Sequence, residues 1–135
     1  MNYLLDTNFV IGLLRGIGPY FDYLDRLVDE MVPAVSAATR SEVFAGCHPH
    51  EDRTTKYLLD RFETIAVDAS IADLAGRYIY RFRRRGVTLH FEDALIGATA
   101  VVEGLILVTR NVAHFPMLTL GRNLLRFPDE RFVVE

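Results

Sequence analysis

Leu105-Ile106-Leu107-Val108 is an uninterrupted apolar run, bounded by Gly104 on one side and Asn111 on the other. Consecutive apolar residues of this kind are typical of a strand buried on both faces, as in a parallel sheet. Other short apolar runs precede it and alternate with helical stretches. They cover residues 3–5, 32–35 and 64–67. The alternation predicts an α/β protein: a three-layer α/β/α sandwich with a short, mostly parallel sheet.

Capping signals predict where the helices between these strands begin. Asn8 is placed to cap a helix that follows the first strand. Ser70 and Asp73 match a capping box for a long amphipathic helix. A further helix is predicted over residues 91–103, and residues 132–134 form a possible last strand.

Length and composition predict one domain over residues 1–135, with 50% hydrophobic and 24% charged residues. This mixture excludes a disordered or collagen-like chain. The single cysteine, Cys47, excludes an internal disulfide framework. The N-terminus lacks a basic segment before an apolar one, and no apolar stretch is long enough to span a bilayer. We therefore expect a cytoplasmic protein that does not enter the membrane.

The formal net charge of −3 argues against a protein that coats nucleic acid by charge alone. It does not exclude an enzyme with a local basic patch. Four arginines lie opposite the apolar stripe of the long helix, namely Arg77, Arg81, Arg84 and Arg85. They indicate either a surface that contacts RNA phosphates or a solvated helix end whose cations the helix dipole favours.

Polar residues fall where the predicted strands end. Asp6 directly follows the first strand, and Asn111 lies just past the 105–108 strand. Glu42 lies in the helix after the second strand. Sites in open parallel sheets form outside the carboxyl ends of the strands. Asp93 would join this edge only if the helix over residues 91–103 begins there.

Clustered carboxylates point to a hard divalent cation. Carboxylates within a few Å of one another do not all stay ionised unaided, and a cation removes that repulsion. Oxygen ligands select Mg²⁺ or Mn²⁺ over Zn²⁺. Each acid also has a simpler explanation, since Asp6 is suited to capping a helix and Asp93 to a helix start. Their joint placement carries the metal hypothesis.

Four blocks in chain order resemble the PIN domain and, more narrowly, the toxin of a VapBC-type toxin–antitoxin pair. They are residues 4–11 (LLDTNFVI), 39–46 (TRSEVFAG), 91–100 (FEDALIGATA) and 107–115 (LVTRNVAHF). The resemblance implies a metal-dependent endoribonuclease that uses Mg²⁺ or Mn²⁺. It also implies a homodimer, an RNA substrate and a small antitoxin protein that occludes an acidic cleft.

The resemblance also assigns roles to individual residues. Asp6, Glu42 and Asp93 match the family's metal-binding acids. Asn111 matches a fourth catalytic position where many members carry aspartate, and an amide there binds metal more weakly. Two hydroxyl residues match positions that orient these ligands, namely Thr7 and Thr109.

Two other classes of function stay open at this stage. One is a PIN-like module that binds RNA or protein with little or no catalysis, for which Asn111 is the only support. The other is a phosphotransfer or signalling domain, which Asn8 and the single lysine, Lys56, disfavour. His90 and His114 flank two of the blocks and serve either proton transfer or packing.

Overall fold

The computed structural model describes residues 2–28 and 31–127. Its strands are β1 (Tyr3–Leu5), β2 (Ala34–Ser36), β3 (Glu63–Ile65), β4 (Ile106–Thr109) and β5 (Leu124–Arg126). They form a parallel sheet in the order β3-β2-β1-β4-β5. On one side of β1 lie β2 and then β3, and on its other side lie β4 and then β5. The order therefore reverses between β1 and β4, where open α/β sheets form their crevice.

In the part of the chain that the structure describes, six α-helices accompany the strands. They are α1 (Thr7–Leu14), α2 (Gly18–Leu27), α3 (Ala37–Ala45), α4 (Asp52–Leu59), α5 (Ala69–Arg83) and α6 (Phe91–Glu103). Two short 3₁₀ turns add Pro49–Glu51 and Val112–His114. Within the described ranges, none of the helices has the length and hydropathy needed to cross a membrane.

Helices cover both faces of the sheet, which confirms the predicted three-layer α/β/α fold. Adjacent strand residues point to opposite faces, so Leu4 and Leu5 are both fully buried but in different clusters. Leu5 packs in the cluster that contains residues of α1, α2 and α4. Leu4 packs in the cluster that contains residues of α6, and α5 lies against α6 in a third cluster.

The first strand has the predicted bounds, and the next three predicted strands are shifted by one or two residues. The second strand is Ala34–Ser36 rather than 32–35, and the third is Glu63–Ile65 rather than 64–67. The sequence gives no clear signal for β5, because Leu124–Arg126 has only two apolar residues. The possible strand over residues 132–134 lies outside the described residues.

Aspartates cap α1 and α5, for which the sequence predicted Asn8 and Ser70 as the capping residues. Asp6, not Asn8, caps α1, and its side chain accepts a hydrogen bond from the Thr7 backbone N–H at 2.8 Å. Asp68 caps α5, because its carboxylate reaches the Ile71 N–H at 3.0 Å. The Ser70 hydroxyl donates to the same carboxylate, so the predicted capping box starting at Ser70 does not form.

Two helical glycines lie close to other side chains. We expect the replacement of each by alanine to have a different effect on stability. A Cβ at Gly12 would lie 2.6 Å from three atoms of the Tyr20 ring. That ring is 4% exposed and packs against Phe9 and Phe127, so it has no room to move. A Cβ at Gly97 would instead meet the flexible thioether of Met117.

We expect Gly12→Ala to lower the free energy of unfolding by about 1–3 kcal/mol, the usual cost of overpacking. Gly97→Ala is expected to be nearly neutral, since the alanine gains about 1 kcal/mol of helix propensity while the thioether shifts. Urea denaturation of both variants measures the difference. Equal destabilisation by the two substitutions would contradict the assignment of Tyr20 as a fixed neighbour.

Candidate functional site

Asp6 lies at the reversal point of the sheet, directly after β1. Its backbone N–H donates to the Val108 carbonyl of β4 at 3.1 Å, which fixes the ends of the two central strands beside each other. The next residue of β4 is Thr109, and its hydroxyl donates to Asp6 Oδ2 at 2.6 Å. The other carboxylate oxygen accepts the Thr7 N–H. Both oxygens of this buried carboxylate are therefore oriented by the protein.

A backbone amide sets the direction of the Thr109 hydroxyl. The Asn111 N–H donates to Thr109 Oγ1 at 3.0 Å. Because that oxygen accepts from the amide, its own hydrogen is available for Asp6. The family resemblance implied an orienting role for Thr109, and its hydroxyl contacts Asp6 directly.

Glu42 is positioned by α1 as well as by its own helix, α3. The Thr7 hydroxyl donates to Glu42 Oε1 at 2.7 Å and lies 3.2 Å from the Thr39 hydroxyl. Thr7 thus contacts Asp6 through its backbone and Glu42 through its side chain. Thr39 is not among the site residues predicted from the sequence. Its position one helical turn before Glu42 places both on the same face of α3 and was the available signal.

Asp93 reaches the same edge because α6 begins there, at Phe91. Its carboxylate lies 3.5 Å from Nδ1 of His114, which belongs to the turn after β4. His90, the N-cap residue of α6, and Glu92 line the same cleft. The sequence left open whether the helix over residues 91–103 begins at the carboxyl edge of the sheet. It does, and Asp93 therefore lies in the cleft.

These residues line one cleft of about 290 Å³, defined here as the acidic cleft. Its walls are Asp6, Thr7, Asn8, Ile11, Glu42, His90, Glu92, Asp93 and His114. Burial raises the pKa of Asp6, of Glu42 and of Asp93 above the usual carboxyl range. Neighbouring carboxylates, Glu92 among them, raise the pKa of Glu42 and of Asp93 further. Four carboxylate side chains line the cleft, and no lysine or arginine among the described residues does.

The carboxylate oxygens of the acidic cleft are the type of ligand that a hard divalent cation prefers, but they do not surround a cation completely. In the described part of the chain, no three Asp, Glu, His or Cys side chains converge closely enough to hold a metal ion by themselves. Mg²⁺ keeps several waters and is commonly bound through one or two carboxylates and substrate phosphates. Asp6, Glu42 and Asp93 suit such a partial ligand set. A cation would stabilise their ionised forms, which burial disfavours in all three and neighbouring carboxylates disfavour in Glu42 and Asp93.

Metal-free protein is expected to gain stability from Glu42→Gln. Because the folded state raises the pKa of Glu42, folding is penalised when this carboxylate is ionised, above its ordinary pKa of 4.5. Glutamine removes the charge and still accepts from Thr7. We expect a higher Tm at pH 7, by about 2–4 °C for each kcal/mol relieved. The difference should vanish below pH 4.5, where Glu42 is protonated in both states; thermal melts across this range test it.

Asn111 does not line the acidic cleft. It lines a neighbouring groove with Arg15 and Arg110, and this groove shares Asn8 and Ile11 with the cleft. The three predicted metal-binding acids therefore come together, whereas the fourth predicted catalytic residue lies beside them. Spacing in the sequence does not indicate this separation of Asn111 from the acidic cleft.

Four arginines in the C-terminal half of α5 and just beyond its end, called the α5 arginines, lie on a separate surface. Arg77, Arg81, Arg84 and Arg85 line an exposed depression with Tyr80, and none of them lines the acidic cleft. The buried face of α5 is formed by other residues, as its apolar stripe predicted. The basic surface and the acidic cleft are two distinct features of the molecule.

The comparison with known proteins agrees with this fold. A model of the PIN domain family matches residues 3–115, and the chain belongs to that family. It is 35% identical over 114 residues to Ribonuclease VapC10 of Mycobacterium tuberculosis (strain ATCC 25618 / H37Rv), covering 84% of this chain and 86% of that protein.

Two solved structures share the architecture. A toxin–antitoxin complex from Klebsiella pneumoniae has a chain that is 27% identical, with a TM-score of 0.76, covering 92% of this chain and 96% of that one. VapBC2 from Rickettsia felis, bound to a DNA fragment from its promoter, has a chain with a TM-score of 0.80 and 22% identity. That match covers 94% of this chain and 99% of the other, and shows the fold alone.

Proposed function

We propose that this protein is a metal-dependent endoribonuclease and the toxin of a type II toxin–antitoxin pair. The observation that carries the proposal is the acidic cleft, where Asp6, Glu42 and Asp93 meet from three different elements at the reversal point of the sheet. The ribonuclease name of the relative from Mycobacterium tuberculosis supports RNA as the substrate. The toxin–antitoxin complex from Klebsiella pneumoniae supports a small antitoxin as the partner, and we expect the toxin to form a homodimer.

Asp6, Glu42 and Asp93 would hold Mg²⁺ or Mn²⁺. When bound, the cation supplies Lewis-acid activation of water and neutralises charge that develops on the phosphate. The protein's own residues orient the carboxylates that would bind the cation. Thr109 and the Thr7 N–H fix both oxygens of Asp6, and the Thr7 hydroxyl fixes Glu42. These contacts keep the carboxylates in place before the substrate arrives, so little reorganisation accompanies the hydrolysis of a phosphodiester bond.

The arginines of α5 are proposed as a second RNA contact. Arg84 donates to the Tyr80 hydroxyl at 3.4 Å, so the surface combines cations with an exposed aromatic ring. Single strands bind to such surfaces through phosphate attraction and base stacking. Replacing Arg77 and Arg81 together with glutamine should weaken RNA binding in proportion to the charges removed and leave metal binding unchanged.

Cleavage of a broad RNA panel tests the main proposal. Purified protein, stripped of metal and antitoxin, is incubated with structured and single-stranded RNAs in EDTA and then with Mg²⁺ or Mn²⁺. We expect cleavage only after a metal is added. An Asp93→Asn preparation made in parallel controls for contaminating nucleases. Intact RNA across the whole panel in Mn²⁺, with a correctly folded protein, would reject the enzyme and favour the binding module.

A further inference from the structure

A groove of opposite charge adjoins the acidic cleft. It has a volume of about 340 Å³, and its polar walls include Asn8, Arg15, Arg110 and Asn111. No carboxylate lines it, whereas four acidic side chains line the cleft. We call this feature the arginine groove.

The arginine groove and the acidic cleft adjoin each other along α1. Asn8 and Ile11 line both, and these two residues lie about one turn apart on α1. A ligand that passes from one to the other would cross the first turns of α1. Its negatively charged part would be attracted to the groove and would need a cation in the cleft.

Arg110 is held in place by the protein core. Its Nη1 donates to the Tyr20 hydroxyl at 3.0 Å, and the Tyr20 ring is 4% exposed between Phe9 and Phe127. A guanidinium has five N–H donors, and this hydrogen bond uses one of them. Arg110 also directly follows Thr109, which orients Asp6. Its position is therefore fixed relative to the acids.

We propose that the arginine groove binds a phosphodiester of the RNA strand next to the bond that is cut in the acidic cleft. This inference rests on the proposed function. Arg15 and Arg110 provide the charge, and planar guanidinium groups match phosphate oxygens with paired hydrogen bonds. Asn111 provides an amide donor to the same phosphate. A carboxylate at this position would repel the phosphate, so the asparagine is suited to the groove rather than to a metal.

Binding of a short fluorescein-labelled oligouridylate, measured by anisotropy in EDTA to prevent cleavage, tests this assignment. Arg15→Gln and Arg110→Gln should each weaken binding about tenfold and reduce the slope of log K against log salt by about 0.7–1. Arg61→Gln is the matched control, because Arg61 lies just before the amino end of the outer strand β3, whereas Arg110 follows the carboxyl end of β4. Mn²⁺ affinity, measured by calorimetry, should be unchanged in all three variants.

Asn111→Asp separates the two roles that this residue could have. A phosphate contact predicts weaker RNA binding with unchanged Mn²⁺ affinity, whereas a metal ligand predicts tighter Mn²⁺ binding. Tyr20→Phe keeps both arginines and removes the anchor of Arg110. It should reduce RNA affinity less than Arg110→Gln does and leave the salt slope unaltered.

The outcomes distinguish the two proposals. Wild-type protein that cleaves RNA while both arginine variants keep its affinity and salt slope would overturn the groove assignment alone. Tighter Mn²⁺ binding by Asn111→Asp, with RNA binding unchanged, would also overturn it. Failure of the wild type to bind or cleave any RNA would overturn both. Loss of antitoxin binding without loss of RNA binding in the arginine variants would assign the groove to the protein partner instead.

Discussion

Asp93→Asn is expected to lower RNA cleavage by about a thousandfold or more, and Asp6→Asn should do the same. Metal-assisted hydrolysis depends on several kcal/mol of charge stabilisation, and each 1.36 kcal/mol is a factor of ten in rate. Both substitutions remove a carboxylate from the acidic cleft while keeping the shape of the side chain. The Asp6 variant also keeps a residue that caps helices well, so α1 should persist.

Calorimetry with Mn²⁺ and single-turnover cleavage measure the two effects together. Glu103→Gln is the matched control, because it makes the same change of carboxylate to amide at the other end of α6. That position lies about 15 Å along the helix from Asp93. Full activity in Asp93→Asn, or an equal loss in Glu103→Gln, would refute the role of the cleft acids.

The sequence identified the two central strands and the position of Asp6 for the same reason. The 105–108 run and the 3–5 run are apolar throughout, since both faces of these strands are covered, and such runs are readily detected. Parallel strands bring their carboxyl ends to one edge, which places Asp6 near β4 without knowledge of side-chain contacts. Local patterns therefore predict this part of the site.

Features that depend on competition between neighbouring groups could not be predicted from local sequence patterns. Asp6 and Asn8 are both residue types that cap helices well, and which of them caps α1 depends on where β1 ends. β5 has a weak local signal, because the strand exists through its pairing with β4. Asn111 lines the groove beside the acidic cleft rather than the cleft itself. Each of these is decided by tertiary contacts rather than by propensity.

The hydroxyl of Thr109 gives the second large prediction. Thr109→Val removes the donor to Asp6 Oδ2 and the acceptor of the Asn111 N–H. Substitutions of groups that orient metal ligands typically cost 10–100-fold in metal affinity or activity. We expect a loss of about that size in Mn²⁺ affinity. Because the Thr109 hydrogen bond lowers the pKa of Asp6, its removal raises that pKa further, and metal binding should shift to higher pH.

Thr99→Val makes the same substitution at another buried position and isolates this effect. The Thr99 hydroxyl donates to the Leu95 carbonyl of its own helix at 2.7 Å. Threonine and valine have similar helix propensities, so this variant should keep wild-type Mn²⁺ affinity. Mn²⁺ titrations of both variants at several pH values separate orientation from packing. If Thr109→Val bound Mn²⁺ like the wild type at every pH, Asp6 would not need its hydroxyl partner, and preorganisation of the carboxylate would not contribute to the site.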